Sequence, residues 1–368
     1  MSRVTSQLRE AVWARRGLGG WAAWLALQPA SGLFTTGVAL RNLGYRVGVL
    51  RTYRARIAVV SVGNLSVGGS GKTPLTLWLA RALAVPGVRV AIVLRGYGGR
   101  ARHVTVVSVG NGPEVDVETA GDEAVMLAKC FAGPVLTARR RAEGVAAAEH
   151  LGCNVAVLDD GFQHRALARD FDLVLIDGHR RTVLPAGPLR ERQSALGRAD
   201  AVVFVDKADE RPTTVPAAAG VSTPLFVARF APTALIESDA GRWRELPLRA
   251  LSGRRVAVVA GIAEPAPFFA AVRGWDAQIA EFFEFNDHHH YTLLDWQHIS
   301  RATRDVELVV TTEKDLVKLE RFPFARGKLV ALRITPQIDD GDALIRMVAA
   351  RAGLAEGRSH TKEDADGY

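Results

Sequence analysis

The chain has 368 residues, 48% hydrophobic and 23% charged, which excludes wholesale disorder, collagen and coiled coil and suggests two globular domains. Cys130 and Cys153 are too few for a disulfide scaffold or a Cys-rich zinc site, and both are expected reduced and buried. The net charge of +8 resides in the first 56 residues, with nine arginines and one acid, Glu10; the neutral remainder lacks the basic stripe of a nucleic-acid binder.

That basic segment, 1–56, also carries Trp13, Trp21 and Trp24. Residues 17–40 are uncharged and long enough to span a bilayer. Five glycines and several polar residues dilute the run, however, and Pro29 is expected to break or kink a helix. The reading is short helices on either side of Pro29, lying in a membrane interface. There tryptophan favours the headgroup level, and each arginine near anionic lipid gains about 1 kcal/mol. A helix packed on the protein's own core and a true span are the alternatives. No small-residue site closes the apolar run, so a cleaved signal peptide is not expected.

Further along, 57–62 reads as a buried strand, 63–71 as a Gly-rich turn and 72–84 as a helix. A strand is expected at 88–94, with helices at 121–131 and 138–150. Strands follow at 155–158, 173–176 and 201–205. This alternation implies a doubly wound, mostly parallel α/β sheet over 57–228. The pattern loosens over 207–230. A second, smaller α/β unit is expected over 229–352, with strands at 255–260, 307–310 and 329–334 and a helix at 267–272. The polar tail, 353–368, is expected to be disordered.

The strongest motif is Ser66-Val67-Gly68-Gly69-Ser70-Gly71-Lys72-Thr73, between a strand and a helix, the context that a phosphate-binding loop requires. Its glycines let backbone N–H groups curl around phosphate oxygens, and the helix N-terminus adds partial positive charge. Lys72 is expected to reach the β- and γ-phosphates, and Thr73 to ligate Mg²⁺. Ser66 departs from the glycine that usually opens the pattern. The run 155–158 ends in Asp159-Asp160, and two adjacent acids belong at a strand's carboxyl edge, not in a core. One of them is expected to hold Mg²⁺; which one stays open. These motifs indicate a Mg-nucleotide enzyme.

Taken in order, the motifs resemble the tetraacyldisaccharide 4′-kinase family, the lipid A 4′-kinases of Gram-negative bacteria. The series runs Val62-Gly63-Asn64-Leu65 into the phosphate loop and Pro74, then Arg95-Gly96-Tyr97-Gly98-Gly99 and Gly121-Asp122-Glu123. It continues with Asp159-Asp160-Gly161-Phe162-Gln163-His164 and Leu184-Pro185-Ala186-Gly187-Pro188-Leu189-Arg190-Glu191. Asp287-His288-His289 and Thr311-Thr312-Glu313-Lys314-Asp315 complete it. The resemblance covers roughly residues 20–335. It implies that ATP phosphorylates a lipid A disaccharide 1-phosphate at the cytoplasmic face of the inner membrane. It also implies that Asp122 is the base for the sugar hydroxyl, supported by His288, with His289 and His290 blurring the assignment. Such a base is worth roughly 10²–10⁴-fold. Tyr97, Arg140, Gln163, His164 and Arg190 are candidate substrate or phosphate contacts. The plainer alternatives are a helix cap for Asp122, a solvated loop for the histidines and a solvated helix face for 139–141.

Two rivals remain. Asp206-Lys207-Ala208-Asp209 loosely imitates a guanine-reading motif with the wrong first residue, and nucleotide preference discriminates. A non-catalytic membrane adaptor would be expected to lose Lys72, Thr73, Asp159 and Asp160, all of which are present.

Overall fold

The computed structural model describes residues 11–69, 71–177, 182–206, 223–239 and 241–354. Ser70, residues 207–222 and the tail from 355 lie outside them. One mixed sheet of 13 strands runs through the molecule. Its first half is built on β1 (Ala58–Asn64), β2 (Val90–Leu94), β4 (Val135–Thr137), β5 (Val155–Asp159), β6 (Phe171–Ile176) and β7 (Ala201–Val205), all parallel. β3 (Thr105–Ser108) adds an antiparallel edge. The central strands are runs of Val, Ile, Leu and Ala buried on both faces, as a sheet covered by helices requires. The covering helices include α2 (Lys72–Leu83), α3 (Asp122–Cys130) and α4 (Arg141–His150).

The second half contains β10 (Arg255–Ala260), β11 (Gln278–Glu284) and β12 (Leu308–Thr312), parallel to one another and to β13 (Leu329–Ile338). Its helices are α5 (Pro265–Arg273), α6 (Leu293–Ala302) and α7 (Glu313–Leu319). The long strand β8 (Leu225–Asp239) joins the halves and passes through position 228 unbroken. It pairs parallel with β7, ending at Val205 opposite Ala228, then antiparallel with β13. β9 (Arg242–Leu246) turns back on β8. β12 ends at Thr312, level with Leu332 and therefore with Leu235 of β8. Hence β7 and β12 end facing each other, separated by seven residues of two-stranded ribbon, roughly 20 Å at about 3.3 Å per residue. This ribbon brings the carboxyl edges of both halves to one cleft. Residues 229–352 do not stay together as a unit. α8 (Gly341–Arg351) returns to the first half, where Leu344 and Val348 share a core with Leu75 and Leu79 of α2.

The N-terminal segment corrects the expectation of a break at Pro29: α1 is one helix, Gly17–Arg46, with Pro29 inside it. Docking on both sides of the proline offsets a cost of about 3 kcal/mol. Trp13, just before α1, donates to the Pro185 carbonyl; beyond Pro29, Ser31 donates to Val183 O, and Asn42 to Glu191. At about 100° per residue, buried Gly20 and Ser31 fall on one side. Leu18, Leu25, Leu33, Leu40 and Leu43 fall on the opposite side and are all exposed, and Trp21, also exposed, lies about a quarter-turn from both sides. Among the described residues, no helix is long and apolar enough to cross a membrane.

One glycine fixes the entry to α3. Gly121 sits at φ +90°, and a Cβ there would lie 2.3 Å from the Tyr97 carbonyl oxygen. Strain and overlap together predict that Gly121→Ala costs about 3 kcal/mol. A drop in Tm of several degrees is expected by calorimetry; an unchanged Tm contradicts this packing.

Candidate active site

β1 ends at the cleft and the chain curls through Leu65–Gly69 into α2. Gly68 (φ +117°) and Gly71 (φ +80°) supply left-handed turns that side chains resist. The loop is braced by Val67 N–H on Pro188 O (2.8 Å) and Arg190 N–H on Leu65 O (2.7 Å). Thr73 Oγ1 donates to Asp159 Oδ2 at 2.8 Å. Lys72 Nζ lies 3.8 Å from Asp160 Oδ1, and Arg190 donates to Asp160 Oδ2 at 2.8 Å.

The two aspartates are thereby made different. Burial, reinforced by the charge of Glu123, pushes the Asp159 carboxyl up to about 6, against the pull of Thr73 and Lys72. Asp160 is also penalised by burial, but Lys72 and Arg190 outweigh that and hold it below the usual carboxylate range. Asp160 Oδ1 is buried and makes no hydrogen bond. Thr73, Asp159 and Asp160 thus present hard oxygen donors of the kind Mg²⁺ takes. Among the described residues, no three His, Cys, Asp or Glu side chains group to hold a metal.

Asp122 opens α3 with Gly121, not Asp122 itself, at the cap position. Its buried carboxylate accepts from the Glu123 N–H at 2.9 Å and faces His288 Nδ1 at 3.1 and 3.2 Å. Burial opposes the charge of Asp122, yet the His288 hydrogen bond, Lys314 and Lys318 hold its pKa far below the ordinary carboxylate value. The two residues come from opposite halves of the sheet and are 166 positions apart in sequence. The Tyr97 ring lies 4.8 Å from that of His288. The other histidines separate from the site: His289 faces Asp295 at 3.1 Å and stacks on Phe285, and His290 is exposed.

Gln163 donates to Asn64 O at 2.8 Å and accepts from Arg190 at 3.4 Å, which places both beside the phosphate loop. Burial, then Arg141, Arg169, Arg95 and Arg41, push His164 down to about 4, so its ring is neutral at pH 7. Arg140 is not drawn into these contacts: it stands 83% exposed beside Glu143. The neighbouring Arg141 is the buried one, donating to Ala138 O and Asp159 O and so fixing the end of β5. The solvated helix face expected for 139–141 therefore does not hold at Arg141, which is 4% exposed, and sequence reasoning assigned no role to Lys314 or Lys318. The spacing of Lys314 and Lys318, one helical turn apart, was the available signal. In the guanine-reader imitation, Asp206 pairs with Arg229 at 2.9 Å; its other three residues are outside the described ones.

Comparison with known proteins follows the same line. The family described as LpxK, tetraacyldisaccharide-1-P 4′-kinase, matches residues 23–352. A tetraacyldisaccharide 4′-kinase of Anaeromyxobacter dehalogenans strain 2CP-C is 43% identical over 331 residues, 84% of this chain and 86% of the relative. One of Syntrophus aciditrophicus is 39% identical over 316 residues, 80% of this chain and 84% of the relative. The crystal structure of LpxK from Aquifex aeolicus in complex with ATP superposes with a TM-score of 0.76. It is 31% identical, covering 89% of this chain and 99% of that one.

Proposed function

Because this chain belongs to the tetraacyldisaccharide 4′-kinase family, we propose that its cleft transfers the γ-phosphate of ATP to the 4′-hydroxyl of a tetraacyldisaccharide 1-phosphate, a step of lipid A assembly. The observation that carries this reading is the His288–Asp122 hydrogen bond between the halves. It lies one residue from Glu123, whose charge bears on Asp159 at the phosphate end. Donor and acceptor machinery are therefore adjacent.

The phosphate loop binds ATP through its backbone N–H groups and the start of α2, and Lys72 leaves Asp160 for the β- and γ-phosphates. Mg²⁺ would be held by Thr73 and Asp159, with Asp160 alongside, and would supply neutralisation of phosphate charge. Asp122, oriented by His288, holds the acceptor hydroxyl and takes up its proton as the phosphorus–oxygen bond forms. Tyr97, Gln163, His164 and Arg190 are retained as substrate or phosphate contacts. Product analysis tests the assignment. The lipid is expected to carry two phosphomonoesters after turnover; ADP and inorganic phosphate with unmodified lipid contradict it.

The exposed stripe of α1 supports binding to the cytoplasmic face of the inner membrane, where such an acceptor resides. A surface helix of an ordinary globular protein turns its polar side outward; α1 turns leucines and Trp21 outward. Combined Leu25→Glu, Leu33→Glu and Leu40→Glu is expected to weaken binding to anionic vesicles at least about tenfold, with ATP affinity unchanged. Undiminished flotation with the vesicles contradicts an α1 anchor.

A further inference from the structure

We propose that Lys314 and Lys318 are positioning residues that fix the Asp122–His288 pair in one hydrogen-bonded arrangement, with His288 donating from Nδ1 to Asp122 and accepting at Nε2 from Lys314. The inference rests on the role proposed above for that pair, but its principal test is independent of turnover.

Both lysines lie on α7, four residues apart and hence on one face. α7 packs against α3, which carries Asp122 and Glu123 at its start. Lys314 Nζ lies 3.0 Å from His288 Nε2, 3.3 Å from Asp287 Oδ1 and 3.5 Å from Glu123 Oε1. An ammonium has three donors and no acceptor, and here it meets three acceptors. Burial opposes the charge of Lys314, but Glu123, Asp122 and Asp287 outweigh it and raise its pKa. An ammonium at 3.0 Å leaves Nε2 only one role, that of acceptor. The ring hydrogen must then sit on Nδ1 and point at Asp122, as the 3.1 Å contact requires. A hydrogen on Nε2 would set an N–H against a cation.

Lys318 completes the arrangement from the carboxylate side. It is 5% exposed, 3.3 Å from Asp122 Oδ2 and 2.9 Å from Asp315 Oδ1. Asp315 is itself fixed by the Gly261 N–H and Thr312. Around His288 the facing groups are therefore Asp122 from α3, Asp287 from its own loop, Lys314 from α7 and the Tyr97 ring, with Glu123 beyond Lys314 and Lys318 behind Asp122. The Lys314 ammonium, the group nearest Nε2, sets which ring nitrogen carries the hydrogen. The Asp122 carboxylate is consequently held in one orientation, as a positioned base must be.

The experiment is NMR of ¹⁵N-histidine-labelled full-length protein, with the His288 signals assigned by their loss in His288→Gln. Wild-type His288 is expected to carry its ring hydrogen on Nδ1, with Nε2 as a hydrogen-bond acceptor. In Lys314→Met the Nε2 signal is expected to shift and the ring to populate both tautomers. The kcat should fall while the KM for ATP is unchanged, and Lys314→Arg should restore both the tautomer and kcat. A wild-type ring whose hydrogen sits on Nε2 overturns the proposal, whether or not a variant folds. So do identical His288 ring signals in wild type and Lys314→Met. Failure of the catalytic reading looks different: Asp122→Asn then turns over normally while the His288 ring signals still respond to Lys314.

Discussion

Lys72→Ala is expected to lower phosphate transfer by roughly 10³-fold or more, because on the proposed reading it removes an ammonium that meets charge developing on the transferred group. The effect falls on kcat and on ATP affinity together. The fold should tolerate the change. Asp160, the partner of Lys72 at 3.8 Å, keeps the shorter contact with Arg190 at 2.8 Å, so no buried carboxylate is left without a cation. Steady-state kinetics beside a melting curve checks both halves of the expectation. Near-normal turnover with an intact fold removes Lys72 from the mechanism.

Asp122→Asn is expected to cut kcat by about 10²–10⁴-fold with little change in the KM for ATP, if Asp122 acts on the acceptor and not on the nucleotide, as proposed. His288→Ala should act in the same direction. An unchanged kcat for Asp122→Asn excludes it as the base. The substitution also has a stability signature with a definite sign. The folded-state pKa of Asp122 is depressed well below the ordinary carboxylate value. Its ionic contacts therefore contribute fully above about pH 4 and are lost as pH falls through the depressed value. The gap in stability between wild type and Asp122→Asn should accordingly be widest near neutrality and narrow in acid.

The first half of the sheet and the phosphate site were largely legible in the sequence because they are local. A β-branched run followed by a Gly-rich turn and Gly-Lys-Thr specifies strand, loop and helix within about twenty residues. Asp159 was legible as a strand end for the same reason, although its contact with Thr73 needs the β1–β5 register to bring the two together. β8 was not legible. It contains Pro232 and alternates exposed and buried stretches because its start meets β7, its middle has only β13 beside it among the described residues, and its end lies between β13 and β9. β11 was missed because it is an edge strand with few buried residues. The continuous α1 was misread because Pro29 is a strong local signal, whereas the contacts of Trp13, Ser31 and Asn42 that hold the helix are more than 140 residues distant. The pairing of Asp122 with His288 came from the family resemblance. The selection of His288 over His289 and His290 needed three dimensions, since its left-handed backbone (φ +57°) turns it toward α3. Lys314 lay within a family motif and Lys318 one turn beyond it, but neither position disclosed its role, because that role lies in what α7 faces.

The central claim is that the two facing edges of the sheet perform one reaction on a lipid acceptor. The most direct test follows label from γ-³²P-ATP into tetraacyldisaccharide 1-phosphate in detergent micelles, with and without Mg²⁺. Mg²⁺-dependent label on the lipid, lost in both Lys72→Ala and Asp122→Asn, is the predicted result. Release of labelled inorganic phosphate with no labelled lipid would contradict it, leaving the phosphate loop in place but overturning the acceptor.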